Sequence, residues 1–274
     1  MPTETNELLA EVTQLPVQPG AAMRLLWMLE DPRTSASDLG RLIESDPALS
    51  AQVIRLANTA FYGLSGKVSS AWRAVTVLGL STVRAIATTA AFDLFSGSGR
   101  PVPEHFWPHS LTSAAAAAAL ARRVGVQPND AFSAGLLHDI GAALMFRRAP
   151  ERADAVMTRI AADPDADTLD LERREMGTDH AEVGSAVLTL MRFPTEMVEA
   201  IALHHAALDE LPTQLARVVA AADALSMTIV DDPSERGVPL ADALALLDIP
   251  ASAAETLQAE VARDQENLTG FLTV

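Results

Sequence analysis

Fifty of the 274 residues are alanine, and apolar residues rarely alternate with polar ones at the period of two that a half-buried strand needs. Together these features restrict the chain to packed helices, so the expected fold class is all-α. Six of the alanines run consecutively over 114–119, which predicts a helix that its neighbours approach closely. Start and stop signals then divide the chain. Pro19-Gly20 precedes an amphipathic run over 21–30, and the segment from Thr34 to Ser37 offers caps for a helix over 38–45. Asp46-Pro47 opens the next, to 58, with proline at the tolerated first position. Phe61-Tyr62-Gly63 through Lys67 reads as a loop. Ser69 and Ser70 cap a helix that Gly79 ends, and Ser81 starts another reaching about 95. Beyond it, helices are expected over 105–124, from Asn129-Asp130 to Leu137 or beyond, and over 150–162, 168–176, 180–191, 195–206, 212–229, 239–247 and 251–267.

Charge divides the chain unevenly. Residues 1–100 hold 8 basic and 9 acidic groups, whereas 101–274 hold 12 and 27. All six histidines also fall in the second part. Two modules are therefore expected, joined by the helix-breaking segment Ser96-Gly97-Ser98-Gly99-Arg100-Pro101-Val102-Pro103. The boundaries are an N-terminal tail over 1–14, a first helical subdomain over 15–100, a second over 101–230 and a helical extension over 231–274. A formal charge of −16 opposes general binding to a phosphate backbone, so no DNA partner is expected. The absence of cysteine excludes disulfides and thiolate-held metals and fits a reducing cytoplasm. No apolar run is expected to reach the roughly 18–20 residues of a membrane helix. The acidic stretch from Asp163 to Glu175 reads as a solvated loop and helix face, and the helix over 251–267 as one that packs or pairs with a second copy.

The residues that carry chemistry are polar groups set within apolar runs. His138-Asp139 lies in Ala134-Gly135-Leu136-Leu137-His138-Asp139-Ile140-Gly141, where a bare charge is costly. His204-His205 follows Ala200-Ile201-Ala202-Leu203, and Asp223 lies in Ala220-Ala221-Ala222-Asp223-Ala224-Leu225. His105 and His109 share a helix face four residues apart, and His180 follows Asp179 at a helix start. One such histidine is normally a hydrogen-bonded core residue. Several together form an imidazole and carboxylate set suited to iron, manganese or zinc, one or two ions, aimed inward from the helices of a bundle.

His109, His138-Asp139 and Asp223 resemble the H…HD…D pattern of the HD superfamily of metal-dependent phosphohydrolases. More specifically, residues 12–230 resemble the HDOD family, the HD-related output domain of bacterial signalling proteins. The marks are Leu15-Pro16 with Pro19, the stretch from Leu39 to Asp46-Pro47-Ala48-Leu49, Leu56-Ala57-Asn58 and Phe61-Tyr62-Gly63. They continue through Val68-Ser69-Ser70, Ala74-Val75, Leu78-Gly79, His109-Ser110, Gly135 to Gly141, His180 with Gly184, Phe193-Pro194 and His204-His205. The resemblance implies an N-terminal helical bundle packed against an HD-like helical half, in a regulatory module without established catalysis.

The related HD-GYP branch hydrolyses cyclic di-GMP at a centre of two or three metals. His109, His138, Asp139, His180, His204, His205 and Asp223 match its ligand pattern, and His105 stands where a glutamate is common. Two departures count against that activity. Ala142 follows His138-Asp139-Ile140-Gly141 where the branch has a phosphate-contacting lysine, and Ala206-Ala207-Leu208-Asp209-Glu210 replaces its substrate loop. Arg147 and Arg148 are the nearest candidates for a phosphate contact. The expected function is thus bacterial cytoplasmic signalling through protein partners or a small, nucleotide-type ligand. The alternative is a phosphohydrolase acting on a nucleotide or cyclic dinucleotide, with Asp139 as its central residue.

Overall fold

Side-chain caps set several of the helix starts in the computed structural model, which describes residues 20–64, 66–92, 101–163, 166–230 and 238–269. Among the described residues every regular element is helical. The described residues divide into two units, one within 20–92 with 262–269 and one within 101–261. The tail over 1–14, the marks Leu15-Pro16 and Pro19, the linker residues 96–100, the expected helix end at 93–95 and residues 231–237 lie outside the described residues. Pro101-Val102-Pro103 is irregular, as expected of a linker.

The first unit contains α1 (Ala21–Met28), α2 (Ala36–Glu44), α3 (Pro47–Ala57) and α4 (Ala71–Ala91). Ser35 and Asp38 cap α2 reciprocally, each side chain accepting the other's backbone N–H. Asp46 accepts the N–H groups of Ala48 and Leu49 at 3.0 and 3.1 Å, with Pro47 in the first turn of α3. The loop after α3 is closed by Asn58, which accepts the Val68 N–H at 2.9 Å and donates to the Val68 carbonyl at 2.6 Å. Helix α4 packs against α1, α2 and α3 and is broken at Gly79, whose φ of 77° is where the sequence predicts one helix to stop. Contrary to the sequence expectation, this 21-residue element is long and apolar enough to cross a membrane, although more than half of its most apolar window is buried within the fold. Its apolarity serves a core made with Leu25, Ile43, Val53 and Leu56.

The second unit is organised around α5 (Phe106–Val124). Residues 114–119 are all at most 1% exposed, and these short side chains let α6 (Pro128–Leu137) and α12 (Gln214–Ser226) pack closely on α5. Gly135 of α6 lies so near that a Cβ there would sit 2.6 Å from the Ser113 carbonyl oxygen. After α6 the chain turns into α7 (Ile140–Arg148), followed by α8 (Pro150–Ala162), α9 (Thr168–Met176), α10 (His180–Leu190) and α11 (Thr195–Ala202). Helix α10 packs on α7 and α11, α11 on α12, and α9 on α8. Gly141 of α7 touches the backbone of α10 at His180 and Gly184. The unit continues with α13 (Leu240–Ala245), packed on α12, and the start of α14 (Ala254–Thr269), whose Glu260 pairs with Arg122 and Arg123.

The helix expected from Asn129-Asp130 to Leu137 or beyond runs over Pro128–Leu137, and Asp139 has φ −101° and ψ 16° before α7 begins. The one starting at 195 stops at Ala202 rather than 206. In both places an imidazole competes with the backbone for a last-turn carbonyl. His138 Nδ1 lies 2.8 Å from the Gly135 oxygen, and His204 Nδ1 lies 2.7 Å from the Ile201 oxygen. His138-Asp139 and His204-His205 are therefore not inside helices but at helix ends, where side chains can be aimed without following a helical face.

Candidate metal centre

Four parts of the second unit bring buried polar groups to one point. The second turn of α5 supplies His109, the α6–α7 turn His138 and Asp139, the start of α10 His180, and the turn after α11 His204 and His205. His109, His138, Asp139, His180 and His204 are buried, and His205 is half-buried. They form two clusters that share Asp139: His109 with His138, and His180 with His204 and His205. One carboxylate oxygen, Oδ2, lies 3.3 Å from His109 Nε2 and 3.1 Å from His138 Nε2. The other, Oδ1, lies 3.7 and 3.5 Å from the Nε2 atoms of His180 and His204. Asp223, from the middle of α12, adds its Oδ1 to the first cluster, 3.2 Å from His109 Nε2 and 3.6 Å from His138 Nε2.

The outward nitrogens are already committed. His138 and His204 donate from Nδ1 to the Gly135 and Ile201 carbonyls. The Glu172 carboxylate accepts both the backbone N–H and Nδ1–H of His180 at 2.8 Å. Ser226 donates its hydroxyl proton to the Asp223 carbonyl and accepts from Ser113, so its contact with His109 Nδ1 at 3.2 Å is filled by the imidazole's proton. With Nδ1 protonated, neutral imidazoles turn Nε2 lone pairs inward. Those lone pairs face one another: His109 and His138 Nε2 are 3.0 Å apart, His180 and His204 3.3 Å, and His180 and His205 3.0 Å. The Oδ1 atoms of Asp139 and Asp223 are also buried without a hydrogen bond. Lone pairs converging in a buried space require a cation between them, either a proton or a metal.

Electrostatics at the centre points the same way. Burial pushes His138 down, but Asp139 and then Asp223 outweigh it and lift the imidazole to about 10. The same carboxylates overcome burial at His109 and hold it well above the ordinary value. Burial would raise Asp139, yet the charge of His138 and contacts from His109 and His204 hold it well below the usual carboxylate range. His204, desolvated and facing His205, is lowered to about 4 and stays neutral. Nitrogen and oxygen donors without thiolate are the ligand set of divalent first-row metals. The imidazoles of His109, His138, His180 and His204 also have an outer partner to fix their orientation, as ligating histidines normally do. These residues therefore fit a metal.

The remaining sequence candidates lie apart. His105 caps the start of α5, half-exposed, and belongs to neither cluster, although it lines the cavity that reaches them. Arg147 and Arg148 occupy the last turn of α7, where the helix dipole favours cations, and neither lines that cavity. Glu172 was not singled out from the sequence, and its acidic stretch was read as solvated. It is instead 7% exposed, because α9 turns the face bearing Leu171, Glu172 and Met176 inward. Its spacing from Thr168 and Met176, four residues each way along α9, is the signal that could have found it. Ser226 also went unnoticed, being an ordinary small helical residue until its contact with His109 is seen.

The HDOD domain family matches residues 15–207. The chain belongs to the HDOD family. Among solved structures, a Shewanella amazonensis SB2B protein provisionally named a phosphohydrolase is 28% identical, with a TM-score of 0.71 over 95% of this chain and 97% of that one. A Geobacter sulfurreducens HDOD domain protein of unknown function is 26% identical, with a TM-score of 0.65, covering 97% and 91% of the two chains. A Treponema pallidum uncharacterized protein is 24% identical over 209 residues, which are 74% of this HDOD chain and only 40% of that protein.

A cavity of about 640 Å³, counting its open mouth, leads to His109 and Asp139. Phe106, Met145, Phe146, Val156, Met157 and Ile160 form much of its wall, and Ala142 lies on it. Among the described residues the wall contains no lysine or arginine.

Proposed function

We propose that this HDOD protein is a bacterial cytoplasmic signalling module whose His/Asp centre binds one or two divalent metals, and that it acts through contacts with partners rather than by turnover. The cavity wall carries this reading. A phosphodiester entering it would bring its charge against apolar side chains with no guanidinium or ammonium to pair with. The lone pairs converging on Asp139 support the metal, and membership of the HDOD family supports the signalling role. His109, His138, Asp139 and Asp223 would hold one ion, and His180, His204, His205 and Asp139 the other. Protein purified anaerobically should carry at least one transition metal per chain by elemental analysis and should not hydrolyse cyclic di-GMP or bis-p-nitrophenyl phosphate when loaded with manganese, iron or zinc. Turnover abolished by Asp139→Ala would sink the proposal.

That result would favour a second reading, a metal-dependent phosphohydrolase, which the placement of one carboxylate between two imidazole clusters supports. A bound pair of ions would acidify a water and neutralise phosphate charge. The chain's own part would be to orient the imidazoles through Glu172, Ser226 and the Gly135 and Ile201 carbonyls.

Glu172 offers a test of that orientation. Glu172→Ala should weaken metal binding at the His180 cluster by roughly 10–100-fold, the usual effect of losing such an outer partner. Retention at the His109 and His138 cluster should be unchanged after dialysis. Equal loss from both clusters would show that Glu172 acts on the fold instead.

A further inference from the structure

We infer that the cavity beside the His/Asp centre is a receptor site for a small amphiphilic monocarboxylate, with the head at the centre and the apolar tail along α8. The inference rests on the metal reading above and names the ligand that the site would take.

The cavity is mainly apolar. Phe106, Met145, Phe146, Val156, Met157 and Ile160 form most of its wall, and its polar lining is His105, His109, Asp139, Thr168 and Glu172. Burying a tail against this wall removes apolar surface from water on both sides, at roughly 25 cal/mol per Å². Methionines at 145, 157 and 176 suit a flexible chain, because their unbranched side chains repack around whatever shape enters. A nucleotide fits poorly. Most of its base edges, sugar hydroxyls and phosphate would be desolvated against apolar side chains, with only His105, Thr168 and Glu172 on the wall to replace their hydrogen bonds.

The head group follows from charge. Asp139 and Asp223 already neutralise part of the charge that divalent ions would bring, and the wall supplies no lysine or arginine. A monoanion with two oxygens can bind such a centre without needing the additional positive charge that a phosphate dianion demands. An uncharged amphiphile would gain nothing at that end.

The probe is decanoate, titrated calorimetrically into the full-length, zinc-loaded protein, with decanol and the metal-stripped protein as comparisons. Decanoate should bind the loaded protein at least tenfold more tightly than it binds the stripped one, and at least tenfold more tightly than decanol binds the loaded protein. Ala142→Phe, on a half-buried position of the wall, should occupy the space and weaken decanoate at least tenfold. Met157→Asp should do the same by placing a charge beside the tail. Both variants should keep the wild-type zinc content and melting behaviour. Protein that holds zinc yet fails to bind decanoate, or binds decanol equally well, overturns the receptor assignment alone. Binding untouched by either variant would place decanoate elsewhere and overturn it too. Protein that holds no metal overturns the metal reading together with this one.

Discussion

Asp139→Asn is expected to strip metal from both clusters, lowering retention at each by at least the roughly 10–100-fold seen when even an outer partner of a ligand is lost. The side chain offers Oδ2 to His109 and His138 and Oδ1 to His180 and His204. An amide keeps the shape but replaces one of these acceptors with a donor and removes the charge. Asp223→Asn should differ, because Asp223 approaches only His109 and His138. Elemental analysis after dialysis should therefore show both ions lost from the first variant and one from the second. In the metal-free protein Asp139→Asn also removes the charge that holds His138 protonated, and breaking a buried pair this way costs about 3–5 kcal/mol. The sign follows from the raised pKa. The pairing with His138 is fully present below its unfolded value near 6.5 and is lost as pH rises through about 10. The stability gap between variant and wild type should accordingly narrow in alkaline solution, as read by denaturant melts across that range. Full metal retention by Asp139→Asn would refute the shared-carboxylate arrangement.

Gly141→Ala should be among the most destabilising single-methyl changes in the chain. An added Cβ would lie 2.0 Å from the His180 carbonyl oxygen, 2.7 Å from the Gly184 nitrogen and 2.9 Å from the His180 carbonyl carbon. All three are backbone atoms, so no rotamer change relieves the clash, and α7 and α10 must separate. Overpacking of this kind costs typically 1–3 kcal/mol, and a contact this short belongs at about 3 kcal/mol or above. For a chain of this size that is a fall of roughly 10 °C in Tm. Gly20→Ala is the control, since nothing lies within 4 Å of its added Cβ. Because α10 carries His180, separating it from α7 should also pull His180 away from Asp139 and weaken metal retention. A Gly141→Ala variant as stable as Gly20→Ala would contradict the close packing described.

Helix boundaries were legible wherever a local hydrogen bond decides them. Ser35 with Asp38, Asp46 with Pro47, Asp179, and Gly79 as a break all act within a few residues of themselves. The end was left open at His138-Asp139 and placed too late at His204-His205, where apolar runs suggest that the helices continue. There an imidazole takes a last-turn carbonyl, and nothing in the apolar run announces that competition. Helix α4 shows the opposite limit, since its composition admits a membrane span and only its packing against α1, α2 and α3 places it in a core.

The chemistry divides along the same line. By itself the sequence determined an all-α chain, because helix propensity, capping and residue type are local properties, and its motifs carried the HDOD resemblance and the candidate donors, His105 among them. The tertiary structure alone decided that Asp139 serves two clusters, that Glu172 leaves its acidic surroundings to hold His180, and that the cavity wall is apolar. Each of these depends on which helices touch, and alanine-rich helices buried on several sides carry no periodic signature of their partners.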